Sequence, residues 1–176
     1  MKTWAEEMEH EATKEYYDKL SYIIKDIITE VRPYSILEIG FGDGISAHAF
    51  LEIPDSHLVS VDAGDTSQKG FYYVEEYKKR FEYMPMTSDK FFSIDDRKFD
   101  IIYIDGDHTY EFTKRDADNA WDRLEDGGTI IGHDYLHRNN FSSDYGVTKA
   151  FNEFICEHKI EATIYPPHPG LIVIKK

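Results

Sequence analysis

The chain has 176 residues, 34 acidic against 20 basic side chains for a net charge of −14, 15% aromatic residues and one cysteine, Cys156. That length predicts a single domain able to bury roughly two-thirds of the surface its unfolded chain exposes, and the aromatic content argues against disorder. The charge argues against nucleic acid or an anionic membrane as partner, the lone thiol excludes a disulfide framework, and neither a bilayer-spanning run nor a signal peptide is visible, so the cytoplasm is the expected location.

Taken in chain order, Leu20, Ile23, Ile24, Ile27, Ile28 and Val31 recur at helical spacing and make one apolar face, stopped by Pro33. The charged, aromatic stretch Thr3–Lys19 before it reads as an extension of that helix or a separate short one. Residues 1–32 are thus an N-terminal helical segment ahead of an α/β unit over 33–176. In that unit Ser35–Ile39 is a buried strand, Asp43–Leu51 a helix, His57–Val61 a second strand and Phe71–Arg80 an aromatic helix. Phe81–Met86 is a third strand and Phe99–Ile104 a fourth. Tyr110–Glu125 carries Ala117, Ala120, Trp121 and Leu124 at helical spacing, with Gly127-Gly128 expected to terminate it. Thr129–Gly132 is a fifth strand, and Val147, Ala150, Phe151, Phe154 and Ile155 stripe another helix. Ala162–Tyr165 and Leu171–Ile174, joined by the proline-rich Pro166–Gly170, read as a closing antiparallel hairpin. Strands alternating with helices predict a mostly parallel sheet, in which ligands bind beyond the carboxyl ends of the strands.

The first strand ends in Glu38-Ile39-Gly40-Phe41-Gly42-Asp43-Gly44, a glycine-rich turn that lets backbone approach a ligand. A dinucleotide fingerprint would place its third glycine where Ile45 stands, and Glu38 and Asp43 would repel a pyrophosphate. The loop suits a ligand carrying positive charge, or is a tight βα turn with no ligand. The second strand ends at Asp62, 22 positions after Gly40, close to the roughly 20 expected for an acid that binds ribose hydroxyls. The fourth ends in Asp105-Gly106-Asp107-His108-Thr109-Tyr110 and the fifth in Gly132-His133-Asp134-Tyr135. If these strands are neighbours, Asp105 and Asp134 converge with an imidazole, a constellation suited to a hard metal or a general base. Read singly, Asp107 or Thr109 is a helix cap and His133 a core histidine.

Together these segments resemble class I S-adenosylmethionine-dependent methyltransferases, from about Ser35 to the C-terminus. Phe99–Glu111 and Gly127–Tyr135 are similar to the branch containing macrocin O-methyltransferase and cephalosporin-hydroxylase-like proteins. The resemblance implies a Rossmann-like, doubly wound seven-strand sheet, mostly parallel with an antiparallel last strand, in three α/β/α layers. It implies a small-molecule acceptor methylated on a hydroxyl, and a cofactor held by Glu38, Gly40, Phe41, Gly42, Asp62, Ser88 and Asp105; because such a core takes nearly all of the 176 residues, acceptor selectivity is expected from residues 1–32, the loop after Asp134 or a second copy of the chain as partner. The methionine moiety would lie over Gly40–Gly42, the ribose on Asp62 and the adenine near Ser88. In metal-dependent relatives the magnesium ligands match Asp105, His133 and Asp134, and the general base matches His108. This chain departs from the pattern at His133, a nitrogen donor where magnesium prefers oxygen, so magnesium, another divalent cation or none is expected.

With the methyl group already activated on sulfur, the protein has to align and deprotonate the acceptor, and a base such as His108 is worth roughly 10²–10⁴-fold. An NAD-type oxidoreductase and a non-catalytic nucleoside-binding module are the alternatives. Phe71–Tyr73 and the loop His137–Tyr145 line the acceptor pocket or simply pack and connect. Of the negative charge, Glu38, Asp43, Asp62, Asp105, Asp107 and Asp134 are expected at the cofactor rim, and Asp116, Asp118, Asp122, Glu125 and Asp126 on the solvated face of one helix.

Overall fold

The computed structural model describes residues 11–27, 34–64, 68–141, 145–166 and 170–176. The first element among the described residues, α1 (Glu11–Ile27), is one continuous helix, so the Glu11–Lys19 part of the charged aromatic stretch extends the predicted helix, while Thr3–His10 lies outside the described residues. Leu20, Ile23 and Ile24 are buried along its inner face, while Ile28 and Val31 lie outside the described residues.

Seven strands follow: β1 (Ser35–Ile39), β2 (His57–Val61), β3 (Phe81–Met84), β4 (Phe99–Ile104), β5 (Leu124–Gly132), β6 (Ala162–Tyr165) and β7 (Leu171–Lys175). They form one sheet in the order β3-β2-β1-β4-β5-β7-β6. Leu37 pairs with Val59 on one side and Ile102 on the other, both in parallel register. The last strand, β7, runs antiparallel to β5 and β6. The chain winds outward from β1 through β2 to β3, then restarts on the other side at β4. Connections from β1 and β4 therefore leave in opposite directions, which opens a crevice at their carboxyl ends.

Helices α2 (Ile45–Leu51), α3 (Gln68–Val74), α4 (Ser88–Ile94), α5 (Tyr110–Arg123) and α6 (Val147–His158) complete the fold. One face of the sheet packs Ile36, Ile101 and Tyr103 with α1 and α2 around Phe41 and Phe50. The other packs Leu37, Ile39, Ile102 and Ile104 against Phe91 of α4, Ala117 and Ala120 of α5 and Phe151 of α6. Because both faces are covered, the central strands read as unbroken apolar runs. No helix of the described residues is long and apolar enough to cross a membrane.

Several boundaries differ from expectation for local reasons. Helix α2 starts at Ile45 rather than Asp43 because Gly44 is left-handed, with φ of 72°. Strand β3 stops at Met84, where the Met86 amide turns back to the Met84 carbonyl. Thr87 then caps α4, a helix the sequence reading missed, its hydroxyl accepting from the Lys90 amide at 3.2 Å. The aromatic helix is shorter than predicted, α3 ending at Val74 and a single 3₁₀ turn taking Glu75–Tyr77. Gly127-Gly128 does not terminate a helix: α5 ends at Arg123, and β5 has begun before the glycines, which produce a register shift opposite Asp100. Glu125 and Asp126 therefore belong to a strand, not to the acidic helix face. Phe71 packs on Phe41 and Tyr83, and Tyr73 is buried beside Ile45.

Candidate functional site

At the crevice between β1 and β4 lies a cavity of about 740 Å³, walled by the carboxyl ends of β1 to β4 and roofed on one side by Tyr16 of α1. Its floor is the glycine turn after β1. Gly40 has φ of +93°, and a Cβ there would sit 2.0 Å from the Asp105 carbonyl oxygen, so no other residue lets β1 and β4 close up at this point. Gly44, also left-handed, packs against the Gly70 backbone and aims the chain into α2.

Asp62 lies on the wall, with one carboxylate oxygen accepting from the amides of Phe41 (2.8 Å) and Gly42 (3.0 Å) and the other from the Gly64 amide (2.7 Å). It ties the end of β2 to the glycine turn. A carboxylate has about four acceptor positions, so one remains for a ligand hydroxyl. Glu38 is placed differently from the other predicted contacts: it is fully buried beneath the turn, held by the hydroxyls of Ser46 and Ser60. Burial pushes its carboxyl up to about 8, against those two hydrogen bonds and with help from Asp105 and Asp62. Phe41, Gly42, Ser46 and Ser88 line the cavity, as do Asp43, Asp105 and Asp107.

The ends of β4 and β5 meet as the strand pairing requires. His108 Nε2 stands 3.3 Å from Asp105 Oδ1 and 3.3 Å from Asp134 Oδ2. His133 Nδ1 is 3.0 Å from Asp105 Oδ1 and 3.1 Å from Asp134 Oδ1. Burial alone would raise the Asp105 carboxyl, but the two imidazoles outweigh it and hold it at about 2. His108 is raised, first by its hydrogen bond to Asp105, and His133 is raised by the same carboxylate despite its burial. Asp134 is left-handed (φ 58°), a conformation uncommon outside glycine and frequent at functional sites.

Tyr16 and Tyr103, which the sequence reading did not place at the site, and Tyr145 of the predicted loop complete this cluster. Tyr16 and Tyr103 share a hydroxyl–hydroxyl contact at 2.5 Å, and Tyr103 donates to Asp105 Oδ2 at 3.2 Å. The Tyr145 ring stacks on His108, centroids 4.9 Å apart, and on His137, 4.7 Å, while its hydroxyl donates to Asp134. The predicted acceptor loop thus reaches the site through His137 and Tyr145.

Ligand atoms of Asp105, His108 and Asp134 all lie within 4.8 Å of one another, and His133 touches both carboxylates. This mixed set of imidazole and carboxylate does not fit magnesium, which takes oxygen ligands, and is of the kind that holds a first-row transition ion. Asp116 is the largest departure. It is 2% exposed and lines the cavity instead of facing solvent. Burial pushes its carboxyl up to about 6.

A family profile described as a methyltransferase domain matches residues 37–135, more than half of the chain. No curated protein matches it. Among solved structures, a Staphylococcus aureus protein assigned as a caffeoyl-CoA O-methyltransferase superposes with a TM-score of 0.76 at 18% identity, over 99% of this chain and 93% of that one. The O-methyltransferase from Bacillus cereus in complex with SAH gives 0.67 at 17% identity, over 94% and 91%. TomG from Streptomyces achromogenes, an O-methyltransferase involved in tomaymycin synthesis and solved with SAM, gives 0.71 at 13% identity, over 91% and 78%. These likenesses carry the fold, and the profile carries the family. Because the matched segment includes every strand end that walls the cavity, the chain belongs to the methyltransferase-domain family.

Proposed function

We propose that this protein transfers the methyl group of S-adenosylmethionine to a hydroxyl of a small molecule. The observation that carries this reading is the charge of the cavity. Asp43, Asp62, Asp105, Asp107 and Asp116 line it, and among its described lining residues none is Lys or Arg. Such a wall repels the pyrophosphate of NAD and favours a sulfonium. The solved relatives that hold SAM or SAH share the fold and support the same cofactor.

In this reading the methionine moiety lies over Gly40–Gly42, Asp62 takes a ribose hydroxyl, and Ser88 stands at the adenine end. Glu38 acts from below, holding Ser46 and the turn in place. The acceptor oxygen attacks the methyl carbon, the carbon–sulfur bond breaks, and the neutral thioether departs. The acceptor's proton passes to His108 Nε2, where Asp105 and Asp134 stabilise the imidazolium and Tyr145 holds the ring by stacking. Were a divalent transition ion bound, Asp105 and Asp134 would hold it together with an imidazole, and it would lower the pKa of the acceptor hydroxyl. The acceptor enters between Tyr16, His133 and Tyr145.

The test is incubation with methyl-labelled S-adenosylmethionine and a panel of phenol and sugar hydroxyl acceptors. Labelled ether product supports the reading. Cofactor binding with no transfer to any acceptor favours a binding module, and hydride transfer from a nicotinamide favours the oxidoreductase.

A further inference from the structure

Tyr103 is out of keeping with its strand. Ile101, Ile102 and Ile104 beside it are aliphatic, as a strand covered on both faces requires, and Tyr103 itself has no exposed surface. Its ring packs edge-on against Phe50, centroids 5.4 Å apart, a contact that phenylalanine would make equally well. The hydroxyl is therefore what distinguishes tyrosine here, and a buried hydroxyl costs stability unless it is hydrogen-bonded.

Both of its partners belong to the site. Tyr103 has a single proton and gives it to Asp105 Oδ2 at 3.2 Å, so in the 2.5 Å contact with Tyr16 the proton between the oxygens comes from Tyr16. The order runs from Tyr16 to Tyr103 to Asp105, each group polarising the next. Asp105 is then held at both ends, Oδ2 by Tyr103 and Oδ1 by His133 Nδ1 at 3.0 Å and His108 Nε2 at 3.3 Å. Without the hydroxyl the carboxylate is free to turn about its Cβ–Cγ bond and to carry the imidazoles with it. Tyr16 starts the chain from α1, where it lines the cavity and tilts its ring onto His133, centroids 5.1 Å apart.

We propose that Tyr16 and Tyr103 are positioning residues for the transfer: their hydroxyl chain fixes the Asp105 carboxylate, which holds His108 in place to take the acceptor's proton. Helix α1 is thereby a working part of the active site. The inference rests on His108 as the base in the reading above. It goes beyond that reading in assigning work to Tyr103, which has no exposed surface, and to the N-terminal helix.

Tyr103→Phe and Tyr16→Phe each delete a hydroxyl and keep the ring. Nitrogen–proton NMR correlation of the histidine rings reads the geometry in the ligand-free protein, without any substrate. Tyr103→Phe should shift the His108 and His133 signals, and Tyr16→Phe should shift them less. Tyr17→Phe, which removes another hydroxyl that fastens α1, to Glu52, should leave both where they are. With methyl-labelled S-adenosylmethionine and the acceptor panel, Tyr103→Phe should lower kcat by about 10-fold while KM for the cofactor stays within about twofold. In a His108→Ala background it should cost nothing further, because it acts through that ring. Unchanged His108 and His133 signals in Tyr103→Phe overturn the proposal. So does an equal loss of kcat in Tyr17→Phe, which would make the effect one of helix docking. Should Tyr103→Phe not fold, Tyr16→Phe, at the edge of the cavity, carries the same test. If His108→Ala keeps its turnover, the base reading fails and takes the proposal with it, whereas unchanged signals beside an inactive His108→Ala sink the proposal alone.

Discussion

Asp62→Ala separates a carboxylate that serves only the ligand from one that also builds the site. The three amide hydrogen bonds at 2.7 to 3.0 Å fasten the Phe41–Gly42 turn and Gly64 to the end of β2 in the ligand-free protein. A hydrogen bond to a fully buried charged group contributes about 1.5–3 kcal/mol. Asp62 is half-buried and the freed amides can rehydrate, so about 1 kcal/mol each, and about 2–3 kcal/mol in total, is the reasonable loss. For a domain of this size that is a fall in Tm of roughly 5–10 °C. The assay is calorimetric melting of wild type and variant without ligand, followed by titration with S-adenosylhomocysteine. Affinity should fall by about 100-fold or more, since the ribose contact and the shape of the turn are lost together. An unchanged ligand-free Tm alongside weakened binding would refute the clamp and leave Asp62 a ligand contact alone.

Glu38→Gln tests the buried carboxyl under the turn. Its folded-state value of about 8 exceeds the ordinary 4.5, so the unfolded chain loses this proton first and stability falls as pH rises from about 5 to 8, by on the order of 4 kcal/mol. Urea unfolding at several pH values should show that slope in the wild type and a flatter one in the variant; equal slopes would mean that Glu38 is solvated. His108→Ala should lower turnover by roughly 10²–10⁴-fold while S-adenosylhomocysteine affinity stays within a few-fold. Loss of both in proportion would make His108 a structural residue.

Much of this architecture was legible in the residues because the central strands are covered on both faces. Ser35–Ile39, His57–Val61 and Phe99–Ile104 were bounded correctly, since each is an apolar run closed by turn chemistry or charge. The convergence of Asp105 and Asp134 followed from strand adjacency alone. Gly127-Gly128 misled because a glycine pair ends a helix and opens a bulge equally well; what decides is the Asp100 carbonyl, which a Cβ at Gly128 would meet at 2.9 Å and which is remote in sequence. Helix α4 has only seven residues, too few to show a period, though Thr87 at its start was a readable cap. Asp116 was readable too. Thr113, Asp116, Ala117 and Ala120 make one buried stripe on α5, and an acid on that stripe contradicts a solvated face. Tyr16 could not be found this way, because its place beside Tyr103 is 87 residues distant and set by how α1 crosses the sheet.

The most direct measurement of the central claim is isothermal titration of the protein with S-adenosylhomocysteine and, separately, with NAD. An acidic cavity with no Lys or Arg among its described lining residues predicts saturable one-to-one binding of S-adenosylhomocysteine and none of NAD. Binding of NAD with no heat from S-adenosylhomocysteine would contradict it.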